Sequence, residues 1–394
     1  MDFAFTKDEE DFRSEVRKFV QENPPDAFPV EWEDTGYGLG AGSLVYTRLL
    51  GEKGWLSMTW PEEYGGQNRD ITYRFILMEE LAYHRAPQAL HFFNLSVGGS
   101  ILLHGTEKQK QTFLPKLGRG EIIFCTALSE PDAGSDLFAT KTTAVRKGDE
   151  FIINGQKVWT TEAHLSDWAL LLAQTIGEKT SKQKGLSMFL VDLRSPGITI
   201  QPIPNIASEE DFCEVFLDEV NVPAENLLGD ENKGLPIVFE ALEEDRFWAR
   251  AVRAAAAKRD LEDIVRYAKE TKYDGRMLAE NPRTRNMLVE LAIEIEACHV
   301  LTYKVLWLLS RKVVLTHEAS IVKTLADQLG QHLASVALDC VGGRGWLRQG
   351  SKWSMQGGRF ARMYAASPGY TIAGGTTEIQ KLTIALRGLH LPRV

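Results

Sequence analysis

The stretch TTAVRKGDEFIINGQKVWTT, residues 142–161, is where the chain changes character. Val, Ile, Phe, Trp and Thr gather there in short runs, the composition of a pleated and half-buried surface. Asn154-Gly155, at the end of FIING and directly before QKVWTT, predicts a hairpin turn. The β-rich pattern starts at about Glu121 and continues through DWALLLAQT, GLSMFLVDL and GITIQPI, separated by Gly, Lys and Pro. Upstream the pattern is helical. Thr6 with Glu9 makes a capping box, Phe12, Val16, Phe19 and Val20 recur at helical spacing, and Pro24 and Pro25 stop the helix. PEEYGGQNRD is a loop, after which ITYRFILMEELAYH resumes a helical period. Downstream of Gly229, helices are expected over about 234–270, 284–312 and 317–340, with VGGRGW as a break and a last helix starting near Thr377. The order is helical, β, helical. It predicts an α+β multidomain chain with boundaries at 1–122, 123–230 and 231–394.

Composition narrows the classes of function. The chain has 394 residues, 44% hydrophobic and 25% charged, enough for two or three domains with large cores. A net charge of −9 disfavours a nucleic-acid surface. Cys125, Cys213, Cys298 and Cys340 lack metal-ligand spacing, so neither a zinc site nor a disulfide framework is expected, and the thiols suit a reducing compartment. MDFAFTKDEEDF is acidic without an apolar core, and no apolar run approaches the roughly 20 residues of a membrane span. The expected location is cytoplasmic.

Several long segments, in order, resemble the acyl-CoA dehydrogenase family. They are GWLSMTWPEEYGG, HGTEKQKQTFLPKLGRGE, CTALSEPDAGSD, INGQKVWTT, FLDEVNVPAENLLGDENKG and TIAGGTTEIQ. The resemblance covers essentially the whole chain. It implies an N-terminal helical domain, a central β-barrel-like domain, a C-terminal four-helix bundle and FAD bound between the subunits of a tetramer. It also implies an acyl-CoA substrate and an electron-transferring flavoprotein as partner. Homotetramer and mixed tetramer both remain open, as does a non-catalytic role in the latter.

By resemblance the flavin site draws on Thr126, Leu128, Ser129, Gly134 and Ser135 from the first β segment. Gly134 and Ser135 suit a backbone that approaches a phosphate closely. Trp159, Thr160 and Thr161 follow the family's Trp-x-Thr, with aromatic and hydroxyl beside the flavin ring. Asp339 and Gly343, then Thr376 and Glu378, complete the expected cofactor set. Asp339 stands where the family has a Gln, and Thr271 and Tyr273 stand near the place of an Arg that reaches the pyrophosphate from a neighbouring subunit. The expected acyl pocket is formed by Ser135, His91, Phe92, Leu242, Arg246 and Gly375.

The family reaction removes a proton from the α-carbon of a thioester and a hydride from the β-carbon. It needs a carboxylate base and donors for the thioester oxygen. A common place for the base is the residue before Gly-Thr in the C-terminal motif, which here is Gly374. Gly374 keeps the backbone N–H that the resemblance assigns to the thioester oxygen. In the isovaleryl-type branch the base instead precedes an Arg on the first long helix after the β-domain. The matching segment ALEEDRFWAR puts Asp245 before Arg246. At helical spacing Val238, Ala241, Leu242, Asp245, Trp248, Ala249 and Val252 share one face, so Asp245 sits in an apolar stripe. A carboxylate there has a raised pKa and suits a general base, or else pairs with a cation of a neighbouring helix. Glu240, Glu243, Glu244 and Arg250 are expected on the opposite side. With no side chain at 374, branched or cyclic acyl groups have room, and a Glu placed there is expected to restore some activity if Asp245 is removed.

Overall fold

A computed structural model describes residues 3–28, 41–87, 89–176, 185–207, 209–348 and 350–392. The helices α1 (Lys7–Glu22), α2 (Ala41–Glu52), α3 (Ile71–Tyr83), α4 (Ala89–His104) and α5 (Glu107–Gly118) come first. The capping box of α1 forms as the sequence predicts: Thr6 N donates to Glu9 Oε2 at 2.6 Å, and Glu9 N donates to Thr6 Oγ1 at 3.3 Å. Phe12, Val16, Phe19 and Val20 are buried against Trp55, Leu56 and α3.

The eight strands of the middle sheet follow: β1 (Phe124–Ala127), β2 (Thr143–Lys147), β3 (Glu150–Thr161), β4 (Trp168–Ile176), β5 (Leu186–Asp192), β6 (Ile198–Ile203), β7 (Phe212–Pro223) and β8 (Leu227–Leu228). They form one sheet in the order β6-β7-β3-β2-β4-β5-β8, with β1 also paired to β4. β4 runs parallel to β1 and β2 and antiparallel to β5. β5 is buried on both faces: Phe189 and Val191 face the interior of the β-domain, and Met188 and Leu190 face α4 and α5. A strand with helices on one side and sheet on the other reads as a continuous apolar run, which explains GLSMFLVDL.

Asn154-Gly155 is not the hairpin turn. β3 runs through it, and the reversal between β2 and β3 lies at residues 148–149, with Gly148 at φ +63°. A register shift between Ile153 and Gly155 marks a bulge in the pairing with β7. Glycine is required there by proximity, because a Cβ would lie 2.7 Å from Thr142 Cα.

The C-terminal helices are α6 (Gly234–Ala251), α7 (Arg253–Glu270), α8 (Pro282–Ser310), α9 (Glu318–Val341), α10 (Arg359–Tyr370) and α11 (Thr377–Thr383). The single helix expected over 234–270 is broken at Val252, whose N–H bonds to Arg250 O. α7, α8, α9 and α10 share a core of Leu288, Leu291, Leu329, Leu333, Phe360 and their neighbours. Buried charge ties this layer to the N-terminal helices. Glu79 of α3 accepts from Arg13 of α1 (2.7 Å) and from Tyr303 of α8 (3.2 Å), and lies 3.1 Å from His299 Nε2. Arg85 reaches Asp260 and Asp263 of α7 at 2.6 Å each.

Candidate active site

The two β segments expected to hold a cofactor lie side by side. Val158 N donates to Ser129 O at 2.9 Å. Lys157 is fully buried, and its Nζ donates to Leu128 O at 3.0 Å and to Glu130 Oε1 at 2.8 Å. Glu130 also accepts the backbone N–H groups of Lys141 and Thr142 at 2.6 and 3.0 Å. Burial pushes the Lys157 ammonium down to about 8, with Glu130 working in the opposite direction. A paired charge at such depth must be fully hydrogen-bonded to be tolerated. These contacts fix the loop 128–142 on strand β3.

The loop and strand present a shelf. Gly134 and Ser135 are exposed, and a Cβ at Gly134 would meet no atom within 4 Å. Trp159 is 57% exposed and held edge-on by Phe212, with ring centroids 5.9 Å apart. Its φ of +58° falls at a second register break in β3, between Lys157 and Thr160. A bulky residue in that conformation costs on the order of 1–3 kcal/mol, and such strain clusters at ligand sites. Thr161 is half-buried beside it, whereas Thr160 is 1% exposed, so the alternation of the strand turns that hydroxyl into the core. An open aromatic step next to exposed backbone is a surface that a flat ring with a phosphate tail fits. Thr126, Leu128 and Ser129 are half-buried at the edge of this shelf.

Gly374 and Gly375 form a turn with φ of +68° and +92°, a region that excludes most side chains. Arg250 of α6 and Lys323 of α9 reach this turn from below. Arg250 is not on the outward side of α6. It is 5% exposed and its Nε lies 2.6 Å from Asp327 Oδ1. The helix is buried on two sides, against β5 and α4 on one and α9 on the other, so a single apolar stripe does not define its inner surface. Val238, Ala241, Trp248 and Val252 are buried as the stripe predicts, Leu242 is half-buried, and Glu240 is exposed. Arg74 of α3 stacks over Trp248 at 4.3 Å.

The backbone of Asp245 and Arg246 belongs to α6, while their side chains lie outside the described residues. Asp245 is five residues before Arg250, about 7.5 Å along the axis of the helix whose Arg250 reaches the Gly374 turn. His91 and Phe92 open α4, with their side chains also outside the described residues. Thr376 caps α11 by accepting from Ile379 N at 3.3 Å, and Glu378 is exposed in its first turn. Asp339 and Gly343 lie elsewhere. Asp339 is 16 residues beyond Lys323, about 24 Å along α9, and its exposed carboxylate is 4.0 Å from Arg283. Thr271 ends α7, and Tyr273 is 72% exposed. The structure thus gathers the loop 126–135 with 157–161, and α6 with 374–375, but puts 339–343 at a distance. Sequence reasoning missed Lys323, Asp327 and the inward Arg250. The spacing of Lys323 and Asp327 is that of an ordinary surface pair.

Comparison with known proteins gives the class. The chain matches the N-terminal domain of acyl-CoA dehydrogenases over residues 6–121, the middle domain over 125–220 and the C-terminal domain over 232–389. Acyl-CoA dehydrogenase FadE26 of Mycobacterium tuberculosis is 30% identical, over 100% of this chain and 99% of its own. Glutaryl-CoA dehydrogenase of Desulfococcus multivorans is 31% identical, over 98% and 97%. The solved Tcur3481-Tcur3483 steroid ACAD is 28% identical with a TM-score of 0.90, covering 100% of both chains. The chain belongs to the acyl-CoA dehydrogenase family. It is an oxidoreductase of a family whose members carry FAD, built as N-terminal helices, a middle β-domain and C-terminal helices.

Proposed function

We propose that the protein dehydrogenates a branched or cyclic acyl-CoA thioester at its α and β carbons, with Asp245 as the base. The observation that carries this reading is the turn at Gly374: it has an N–H but no side chain, and it lies against α6, the helix that bears Asp245. FAD, when bound, supplies the hydride acceptor. Trp159 and Thr161 would flank its ring, with Gly134 and Ser135 at its phosphates. Thr126, Leu128 and Ser129 edge the same shelf. Gly374 N–H would hold the thioester oxygen, and Asp245 would take the α-proton. Leu242, Arg246, His91, Phe92 and Gly375 would bound the acyl group. The likeness to a steroid ACAD supports a bulky group.

The chain would work as three units, 1–122, 123–230 and 231–394, in a cytoplasmic homotetramer that hands electrons to an electron-transferring flavoprotein. Asp339 and Gly343, about 24 Å from Lys323 along α9, would serve the FAD of a neighbouring subunit. A second reading is a non-catalytic subunit of a mixed tetramer, favoured by the likeness to a protein named for two components.

Anaerobic flavin reduction separates these readings. The purified chain should carry about one FAD and bleach with a branched or cyclic acyl-CoA. Asp245→Asn should still bind FAD and thioester but reduce the flavin about 10²–10⁴-fold more slowly, the loss expected for a general base. Reduction at the wild-type rate would remove Asp245 from this role. A folded wild-type chain that takes up no FAD would favour the subunit reading.

A further inference from the structure

The turn that carries Gly374 has backbone bonds of its own, from Ala373 N to Gly369 O at 3.0 Å and from Thr377 N to Thr371 O at 2.9 Å, and is fastened to the bundle by buried side chains. Tyr370 O accepts from Arg250 Nη2 and from Lys323 Nζ, each at 3.4 Å. Ala373 O accepts from Arg250 Nη2 at 3.3 Å. Gln380, fully buried, donates from Nε2 to Gly374 O and Gly375 O at 3.3 and 3.1 Å. Asp327 joins the two cations, with Oδ1 2.6 Å from Arg250 Nε and Oδ2 2.5 Å from Lys323 Nζ. Lys323 and Asp327 both have 0% exposure. Arg253 stacks over the ring of Tyr370 at 4.0 Å, which steadies the start of the turn.

Two geometric consequences follow. A trans peptide points its C=O and the following N–H in opposite directions. With Ala373 O turned down to Arg250, the Gly374 N–H is aimed away from the buried cluster. The second concerns the side-chain direction at 374. A Cβ built there would meet one described atom within 4 Å, Lys323 Cε at 3.6 Å. Any longer side chain would extend along the lysine stem towards its ammonium.

We propose that Lys323 is a positioning residue for the dehydrogenation, acting through the turn. With Asp327 and Arg250 it sets the direction of the Gly374 N–H, and it occupies the path of a 374 side chain, so that a base at 374 is captured and the working base comes from α6. A carboxylate placed within about 4–6 Å of an ammonium has its pKa lowered by roughly 1–3 units and makes a weaker base. This rests on the dehydrogenase reading above.

The test uses the FAD-loaded protein and an acyl-CoA ¹³C-labelled at the thioester carbonyl. Lys323→Met keeps the apolar stem and leaves Asp327 with Arg250; Lys323→Gln is the second variant if the first does not fold. Either should retain FAD and keep KM within about twofold, while kcat falls about 10–10³-fold, since loss of one well-aimed oxyanion donor costs up to that range. The carbonyl stretch of the bound thioester should shift less to low frequency than in the wild type, a change that a general loss of packing would not produce. A companion pair of variants reads the base. Against the rescue expected from the sequence alone, Asp245→Asn with Gly374→Glu should be no faster than Asp245→Asn. In the Lys323→Met background, where the loss of the oxyanion donor is common to both, adding Gly374→Glu to Asp245→Asn should raise flavin reduction at least tenfold. The strain at φ +68° is common to the two Gly374→Glu additions and cancels between them. A wild-type carbonyl shift in the Lys323 variants, or full rescue by Gly374→Glu without the Lys323 change, overturns the proposal. A wild-type protein that oxidises no acyl-CoA overturns the dehydrogenase reading instead.

Discussion

Trp159 is held where an aromatic side chain is costly, at φ +58° and 57% exposed. Trp159→Gly removes that strain and loses only a half-exposed ring. The FAD-free protein should therefore gain on the order of 1 kcal/mol in stability. FAD should be retained less well, because the ring proposed to flank the flavin is gone. Thermal melts of stripped and loaded protein, with FAD content after gel filtration, check both halves. The motif QKVWTT pointed to Trp159 as a site residue, but not to its strained backbone. Side-chain preference says where Trp and Thr are comfortable in strands, whereas the strain comes from the slip of β3 against Cys213 and Phe212. The same limit hid Lys323. Two charges four residues apart look like a solvated helix face until α6 and the turn at 370–375 close over them.

Among the elements, α1 and α3 are joined by charge as much as by their apolar faces. Burial pushes the Glu80 carboxyl up, but hydrogen bonds from His84, Arg17 and Arg13 outweigh it and hold the pKa at about 2 against 4.5. A folded pKa below the unfolded one means that the stabilisation is complete above about pH 4.5 and is lost as pH falls towards 2. At pH 7 Glu80→Gln should therefore destabilise the protein by on the order of 3 kcal/mol. The gap to the wild type should narrow as unfolding is measured at pH 4, 3.5 and 3. A constant gap would mean that packing, not charge, carries the effect. α1 was legible because its cap, period and proline stop are all local. The break at Val252 was not, since ARAVRAAAA contains neither Gly nor Pro and the chain bends where α6 leaves the β-domain to join the bundle. Asn154-Gly155 gave a false turn because a strong local signal cannot register Thr142 lying against Gly155.

At the scale of the whole molecule, the outer face of α8 is unusually apolar. Val289, Ile293 and Val300 are 58%, 64% and 47% exposed and recur at helical spacing. Such a stripe is where we expect the proposed tetramer to associate. Ile293→Asp should convert the proposed tetramer to smaller species in sedimentation velocity, without loss of helix by circular dichroism. An unchanged sedimentation coefficient would place the contact elsewhere. The order of the three layers was plain in the sequence, because the change from period 3.6 to period 2 and back is written into the chain itself. How the layers lock together was not, because Glu79 sits in a helix whose apolar neighbours give no sign of its partners.

Those partners have a consequence for synthesis. Glu79 shares Arg13 with its own N-terminal layer, but His299 and Tyr303 are 220 and 224 residues further on. At the roughly 5–20 residues per second of translation, about 10–45 s separate the emergence of the carboxylate from that of α8. Throughout that interval the nascent N-terminal helices hold a charge that is only half satisfied. They should therefore stay open to chaperones and proteases until the bundle leaves the ribosome, and a ribosome-stalled chain ending before residue 282 should be cleaved within its first hundred residues, where the full-length protein resists.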